Sequence, residues 1–343
     1  MEVAGGRLKL AKLGRAEEPG LMPAFRQLVN GMLPKVDFPE LLLEVAELTG
    51  LPDAFTHISG AMPTMDDFTT SLCAVWLSEA CNVGLTPVVK PDVPALTRAR
   101  LVQVDQGYFR SENISMANGS FIEAQSTIDV ARAWGGGLVA SADYGPFQQV
   151  SKHTIRLDRI RAHWGDMLRV AGSLSTGEIR GYDLIRMLSR DGNPTGLGDA
   201  FAHDGRIFKT LHLLQFVSDQ GYRRMIGAQL NVTEARHRLA RRIFFGQRGE
   251  LRQHYREGME DQLGALGLAL NAMVLFNTLY IDTAVKQLAA DGFPVTDDLL
   301  PRLSPIQFDH INFLGRYAFT RIPAPGMRPL GDPHTSEDDV YDG

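Results

Sequence analysis

The sequence predicts a mainly α-helical protein with one short β element near residues 136–143. Most of the chain carries apolar residues at helical spacing, in segments bounded by capping and stop residues. The one stretch with strand character, WGGGLVASADYG, is followed by further helical text and not by a second strand. A sheet of ordinary size is therefore not predicted.

Helices dominate the first 133 residues. In PELLLEVAELTG, Pro39 stands in the first turn, an apolar row follows, and Gly50 ends the segment. DDFTTSLCAVWLSEACNVG opens with aspartates suited to capping and closes at Gly84. The helices predicted here span residues 39–50, 66–84, 95–105 and 111–133.

The sequence also predicts a succession of helices in the second half of the chain. Apolar residues between Ile155 and Val170 recur with helical periodicity directly after the glycine-rich stretch. The acidic end, 331–343, lacks apolar residues and is expected to fray. The further predicted helices span residues 178–189, 196–217, 219–230, 233–245 and 248–290.

Composition limits the class of protein. The 343 residues are 44% hydrophobic and 22% charged, which is typical of a globular chain. The net charge of -5 argues against a protein that coats nucleic acid with its whole surface. No apolar stretch is judged long enough to cross a bilayer, and the N-terminus does not resemble a secretory signal, so a cytoplasmic location is expected.

The sequence lacks the residue patterns that several common classes of enzyme require. Cys73 and Cys81 lie two helical turns apart and are expected to be reduced core thiols. The histidines form no metal-binding pair, and His57, His163 and His310 are interpreted as structural. The sequence has no Walker loop and no GxSxG elbow, which argues against an ATPase, a kinase and a serine hydrolase.

Two charged features remain. The start of GELRQHYREGMEDQLGALGLALNAMVLFNT carries Glu257, Glu260 and Asp261, either as a solvated turn or as a carboxylate facing the edge of the core. A basic block precedes it and extends into it. Arginine at this density suits phosphate oxygens, although a helix surface neutralised by ion pairs is the alternative. The block consists of Arg236, Arg238, Arg241, Arg242, Arg248, Arg252 and Arg256.

Longer strings of the sequence resemble one family. They include LPKVDFPELLLEVAELTG, SLCAVWLSEACNVGLTP, ALTRARLVQVDQGYFR, WGGGLVASAD, HWGDMLRVAGSL, GQRGELRQHYREGMEDQLGALGLALNAMVLFNT and SPIQFDHINFLGRY. Together and in this order, they resemble the C-terminal catalytic region of class II replicative transposases, the Tn-three family. The chain resembles only the last part of these larger proteins.

The resemblance implies a DDE transposase with an RNase H-like core, which cleaves and joins DNA strands in replicative transposition. In such an enzyme three carboxylates hold two divalent cations, Mg²⁺ or Mn²⁺, for phosphoryl transfer. On this sequence Asp143 and Glu260 take the catalytic and metal-binding positions, with Glu257 the less favoured choice. The implied partners are transposon-end and target DNA, and the implied assembly is a homo-oligomer.

The chain departs from the family pattern at Asp143. In its resemblance to the family, the string ASADYG combines two related strings that the family keeps apart, as an internal deletion would, and the second catalytic aspartate is missing. None of the aspartates between Asp143 and Glu260 is an obvious substitute, because all lie in helix or turn text. They are Asp158, Asp166, Asp183, Asp191, Asp199, Asp204 and Asp219.

Loss of a bridging carboxylate predicts weak metal binding and an impaired transposase. The alternative is a non-catalytic remnant that binds DNA or full-length transposase and modulates it. The predicted organisation has five parts. They are a helical region at 1–134, the residual strand and deletion junction at 135–147, an insertion-like helical region at 148–247, the catalytic-glutamate helix with its successors at 248–330, and the acidic tail at 331–343.

Overall fold

The fold is described from a computed structural model, which divides into two compact units. The first unit comprises residues 1–15 and 141–230, and the second comprises 16–140 and 231–343. The described residues are 2–4, 7–9, 13–14, 17–134, 155–175, 179, 184, 187–190, 193–251, 256–315, 317–321 and 326–333.

Helices form most of the second unit. Its helices are α1 (Met22–Met32), α2 (Phe38–Thr49), α3 (Phe68–Ala80), α4 (Arg98–Tyr108), α5 (Ser111–Thr127), α6 (Asp129–Ala133), the last part of α9 (Gln220–Ile243), and α10 (Arg256–Ala290). Short 3-10 turns lie at Leu51–Ala54, Thr86–Val88, Pro94–Leu96, Gly246–Gly249 and Leu300–Arg302. Strands β3 (Val36–Asp37) and β6 (Ile311–Asn312) pair in parallel, with Val36 opposite Ile311.

The long helix α10 is the centre of this unit. It packs against α5, α3 and α2, and its residues Met273, Phe276 and Tyr280 are fully buried. Trp76 on α3 is also fully buried, and its indole Nε1 donates to the backbone oxygen of Ala265 at 3.1 Å. Because α10 is apolar on several sides and is surrounded by other helices, it is a core helix.

A buried ion pair closes the C-terminal segment of this unit onto the core. The Arg328 guanidinium Nε donates to Glu44 Oε2 at 2.8 Å, and the carboxylate of Glu44 is almost fully buried. The Tyr280 hydroxyl donates to the other oxygen of Glu44 and accepts the backbone N–H of Arg328 at 2.8 Å. Glu44 is therefore satisfied by a cation and a hydroxyl from two distant parts of the chain.

Among the described residues, few apolar side chains of the first unit are buried. Its helices α7 (Leu157–Ser175) and α8 (Gly196–Ser218) pack together around Ile160, Met167 and Ala200. The hydroxyl of Thr195 caps α8 by accepting the N–H of Gly198 at 3.1 Å. Two hairpins accompany the helices, β1 (Glu2–Ala4) with β2 (Arg7–Lys9), and β4 (Ser189–Arg190) with β5 (Asn193–Pro194).

The prediction of a mainly α protein is confirmed, with differences in detail. The expected break between 219–230 and 233–245 is wrong, because α9 runs through it without interruption. The long last helix begins at Arg256 and not at 248, and α1 was not predicted. The strand expected at 136–143 lies outside the described residues, as does most of the segment 178–189.

The prediction of reduced core thiols is confirmed, and two of the histidines interpreted as structural, His57 and His310, are hydrogen-bonded. Cys73 and Cys81 are free and buried, and burial raises the pKa of the Cys81 thiol to about 12. His310 shares a hydrogen bond of 3.0 Å with Asn277 Oδ1, and burial lowers its pKa to about 4. His57 Nδ1 lies 2.8 Å from Ser59 Oγ, and His163 Nδ1 lies 4.0 Å from an Asp166 oxygen.

One expectation about apolar length is wrong. The part Gly258–Ala290 of α10 is long and apolar enough to span a membrane by length and composition. Its most apolar window is 67% buried within the protein, where it packs with the other core helices. Core helices commonly meet the same criteria, so this is weak evidence for a membrane span.

Candidate nucleic-acid interface and carboxylate groups

Helix α9 carries the first part of the predicted basic block. Leu239 and Ile243 are fully buried and fix this end of the helix in the core of the second unit. The charged residues alternate with these anchors at helical spacing and therefore lie on the outer side. The exposed arginines are Arg238, Arg241 and Arg242, followed by Arg248 in the next turn.

These four arginines are not neutralised within the described part of the chain. None of them forms an ion pair with a carboxylate among the residues that the structure describes. The ion-paired helix surface, which is the alternative for this block, is therefore not observed for these positions. Exposed guanidinium groups of this kind can each offer two parallel N–H donors to a phosphate.

Arg236 differs from the other members of the block. Its side chain is partly buried, and Nη2 donates to Asn271 Oδ1 on α10 at 2.8 Å. Burial lowers the pKa of this guanidinium, because the charge is partly removed from water without an ion-pair partner among the described residues. Arg236 therefore faces α10 and not open solvent.

The turn that joins α9 to α10 is fastened to the end of α3 by Asn82. The amide Nδ2 of Asn82 donates to the backbone oxygens of Gly246 at 3.0 Å and Glu250 at 2.9 Å. Gln262 Nε2 donates to Asn82 Oδ1 at 2.8 Å. These contacts set the position of Arg248 and the path of the chain towards α10. Sequence reasoning did not identify Asn82 or Gln262, since their partners lie more than 160 residues away.

Gly246 is required at this fastening point. Its N–H donates to the backbone oxygen of Cys81 at 2.9 Å. A Cβ at this position would lie 2.0 Å from the backbone oxygen of Asn82, which is a severe overlap. Only glycine permits so close an approach of the two backbones.

The two predicted catalytic carboxylates are not brought together among the described residues. Glu260 is exposed near the start of α10, and Asp143 lies outside the described residues, as does Arg252. Arg256 is the first residue of α10. The aspartates of the intervening region that are described lie on helices or at their ends. They are Asp158, Asp166, Asp199, Asp204 and Asp219.

The metal implied by the resemblance finds no assembled ligand set in the described part of the chain. No group of three or more histidine, cysteine, aspartate or glutamate residues there could hold a metal ion. A two-cation site needs several carboxylate oxygens converging on one point. The described residues do not fit this requirement, so no chemical step is assigned to a cation.

A second carboxylate group was not predicted. Glu79 on α3, Asp105 on α4 and Asp261 on α10 interact electrostatically. Burial, followed by repulsion from Asp105 and Asp261, raises the pKa of Glu79 to about 7, and burial also raises the pKa of Asp105. The signal in the sequence is that Glu79 is the one charged residue of SLCAVWLSEAC, an otherwise apolar helix face.

Comparison with known proteins identifies the class. A family model described as the Tn3 transposase DDE domain matches residues 40–148 and 142–317. These ranges cover most of the chain, and the chain belongs to this family.

Particular relatives support the same assignment. The chain is 39% identical to the transposase for transposon Tn4556 of Streptomyces fradiae, over 97% of this chain and 50% of the relative. It is 34% identical to the transposase for transposon gamma-delta of Escherichia coli strain K12, over 91% of this chain and 42% of the relative. With the transposase for transposon Tn501 of Pseudomonas aeruginosa the identity is 26%. The chain spans about half the length of the curated relatives it matches, or less.

The matches contain an internal discontinuity. The two ranges of the family model overlap at residues 142–148, so this short segment is matched twice. The alignments with the first two relatives extend over 446 and 425 positions, although the chain has 343 residues. An alignment can exceed the chain only if the relative carries residues without a counterpart in it.

Proposed function

We propose that this chain derives from a transposase that cleaves and joins DNA strands, and that it is catalytically impaired by an internal deletion. The overlap of the two family matches at residues 142–148 is the observation that carries the proposal. This segment contains Asp143, and the longer alignments place unmatched residues of the relatives inside the matched region.

The proposed consequence concerns the second carboxylate of the DDE set and the strands of an RNase H-like core. Both would belong to the segment between the two matched places. Asp143 and Glu260 then remain as two carboxylates of a set of three, and binding of Mg²⁺ or Mn²⁺ is weakened by the loss of shared ligands. A site held loosely in this way does not position the reacting groups for phosphoryl transfer.

DNA binding is proposed to survive the loss of catalysis. The exposed arginines Arg238, Arg241, Arg242 and Arg248 carry no ion pairs among the described residues and suit phosphate oxygens. Arg252 and Arg256 complete the block in the sequence. The chain would then act as a DNA-binding protein in the cytoplasm, either as a homo-oligomer or in mixed assemblies with full-length transposase.

A cleavage assay tests catalysis. Purified chain is incubated with supercoiled and transposon-end DNA in Mg²⁺ and, separately, in Mn²⁺, and no nicking above background is expected. Glu260→Gln is run beside Glu234→Gln, because Glu234 is an exposed carboxylate on α9, amid the arginines. Nicking that is lost in Glu260→Gln but kept in Glu234→Gln would refute the impairment. Nicking lost only in Glu234→Gln would also refute the role assigned to Glu260.

A salt titration tests DNA binding. The logarithm of affinity should fall with the logarithm of salt concentration, with a slope of about -0.9 for each phosphate neutralised. Arg241→Gln should reduce the slope by about 1, whereas Arg98→Gln, an exposed arginine on α4, should leave it unchanged. A slope that is the same in both variants and in the unaltered chain would remove the arginine block from the proposal.

A further inference from the structure

A cleft lies beside α10; its lining includes the exposed Arg132 but none of Arg238, Arg241, Arg242 and Arg248. Its volume is about 520 Å³, within the range of sites that hold a small organic group, and it lies between α5, the segment of α6 and Trp134, and α10. Phe121, Trp134 and Val274 contribute apolar walls, and Ile122 stands at an exposed position. A planar apolar group could therefore enter the cleft from solvent.

The walls of the cleft are fixed by hydrogen bonds. Trp134 Nε1 donates to the backbone oxygen of Leu300 at 3.1 Å, which holds the indole in place. Gln125 Nε2 donates to Thr278 Oγ1 at 2.9 Å. The amide oxygen of Gln125 is buried without a hydrogen-bond partner among the described residues. An N–H group of a ligand would remove this deficit.

On its polar side, the cleft is lined by an asparagine that is hydrogen-bonded to an arginine. Asn271 lines the cleft, donates through Nδ2 to Asn118 Oδ1 at 2.7 Å, and accepts from Arg236 Nη2 at 2.8 Å. Arg236 is partly buried and has no carboxylate partner in the part of the chain that the structure describes. A charge in this position is costly unless an anion approaches it.

The geometry points to a binding site for one unpaired nucleotide of a DNA strand, with its base in the cleft and its phosphate directed towards Arg236. Every base has an apolar face that stacks on aromatic side chains, and its edge carries N–H groups that an amide oxygen can accept. We favour a nucleotide over an apolar peptide, because Trp134, Gln125 with its unused amide oxygen, and Asn271, which is hydrogen-bonded to Arg236, all line the cleft. This inference rests on the proposed DNA binding.

Binding of intact and abasic single strands tests the inference. The full chain is titrated, by fluorescence anisotropy at fixed salt, with a labelled ten-nucleotide strand and with the same strand made entirely of abasic sites. Stacking of one base predicts about 10-fold tighter binding of the intact strand. A fully paired duplex should show no such advantage per phosphate, since its bases remain stacked.

Matched variants locate the effect. Ile122→Glu places a carboxylate at the cleft and should abolish the preference for the intact strand. Met116→Glu alters an exposed apolar residue of the same helix away from the cleft and should preserve the preference. Both positions are exposed, so both variants should unfold at the temperature of the unaltered chain.

The outcomes separate this inference from the proposed function. Equal affinity for intact and abasic strands, or equal effects of the two substitutions, would overturn the nucleotide site while leaving salt-dependent DNA binding intact. Absence of any DNA binding would overturn both. A preference that is lost in Ile122→Glu, together with weaker binding of both the intact and the abasic strand by Arg236→Gln, supports the full assignment of base and phosphate.

Discussion

The two units of the chain differ in how completely they bury their apolar residues. In the second unit, α10 is surrounded by helices, and large side chains such as Trp76 and Phe276 are fully buried. In the first unit, the described buried apolar residues between α7 and α8 are Ile160, Met167 and Ala200, while Trp164, Phe208 and Leu214 are more than half exposed. Stability should therefore reside mainly in the second unit.

The position of the first unit in the sequence is relevant to the proposed internal deletion. The second stretch of the first unit begins at residue 141, and the two family matches overlap at 142–148. The unit with fewer described core residues thus includes the segment 142–148, which overlaps the proposed deletion junction at 135–147. Under the proposed deletion, loss of a segment that covered apolar helix faces would account for the exposed apolar residues of α7 and α8.

The largest predicted effect is on the free energy of unfolding, and it is measured by replacing one phenylalanine with alanine in each unit. Phe276→Ala empties a fully buried position and should lower the free energy of unfolding by about 4 kcal/mol. Phe208→Ala, where the ring is 66% exposed, should change it by less than about 1 kcal/mol. Urea unfolding measures both. Similar losses would show that the units do not differ in packing as described.

The next effect concerns the buried ion pair of the second unit. Arg328→Met leaves the Glu44 carboxylate buried without its cation and should cost about 3 kcal/mol. Arg26→Met breaks a more exposed pair with Glu18 and should cost less than about 1 kcal/mol. Thermal unfolding followed by circular dichroism distinguishes them. A loss as small as that of Arg26→Met would mean that Glu44 finds another partner.

A third effect depends on pH. The pKa of Glu79 is about 7 in the folded chain, against an ordinary value of 4.5, so the folded state binds this proton more tightly than the unfolded state. Its contribution to stability is therefore most favourable below pH 4.5 and declines as pH rises through about 7. Asp105, whose pKa is also raised, acts in the same direction.

Glu79→Gln should remove most of this decline, a difference of about 2 kcal/mol at pH 8 relative to pH 5. The measurement is the free energy of unfolding at several pH values. Glu123→Gln, an exposed carboxylate on α5, is the control and should retain the decline. A variant curve parallel to that of the unaltered chain would contradict the assignment to Glu79.

The smallest predicted effect on stability comes from replacing exposed leucines, and it tests whether the exposed apolar surface of the first unit causes aggregation. Leu214→Glu on α8 should change the free energy of unfolding by no more than about 0.5 kcal/mol, but should reduce aggregation measured by light scattering. Leu263→Glu, at an exposed position of the second unit, should reduce aggregation less. An equal benefit from both would separate aggregation from the apolar face of the first unit.

Most helices could be predicted from local pattern. The segments that became α2, α3, α5 and α8 carry their own caps, stops or apolar periodicity. Helix α1 was missed although Met22, Phe25, Val29 and Met32 recur at helical spacing and Pro23 stands in its first turn, so its pattern was available in the sequence. The uninterrupted course of α9 through residues 231 and 232 was also missed, since a polar stretch there resembles a boundary although its residues are compatible with a helix.

Part of the candidate site was also available from sequence. The arginines at 238, 241 and 242 follow from their spacing opposite Leu239 and Ile243, which is a local property of one helix. The partial burial of the Arg236 side chain could not be predicted, because it depends on contact with Asn271 from another helix.

By itself, the sequence determined the helical class, the family resemblance, the basic block and the doubled correspondence at residues 142–148. Only the tertiary structure decided that Asn82 fastens the turn before α10, that Glu44 meets Arg328, and that Trp134 and Asn271 line one cleft. The physical reason is the range of the contacts. Helix periodicity and capping act over a few residues, whereas these pairs are joined only when distant helices pack.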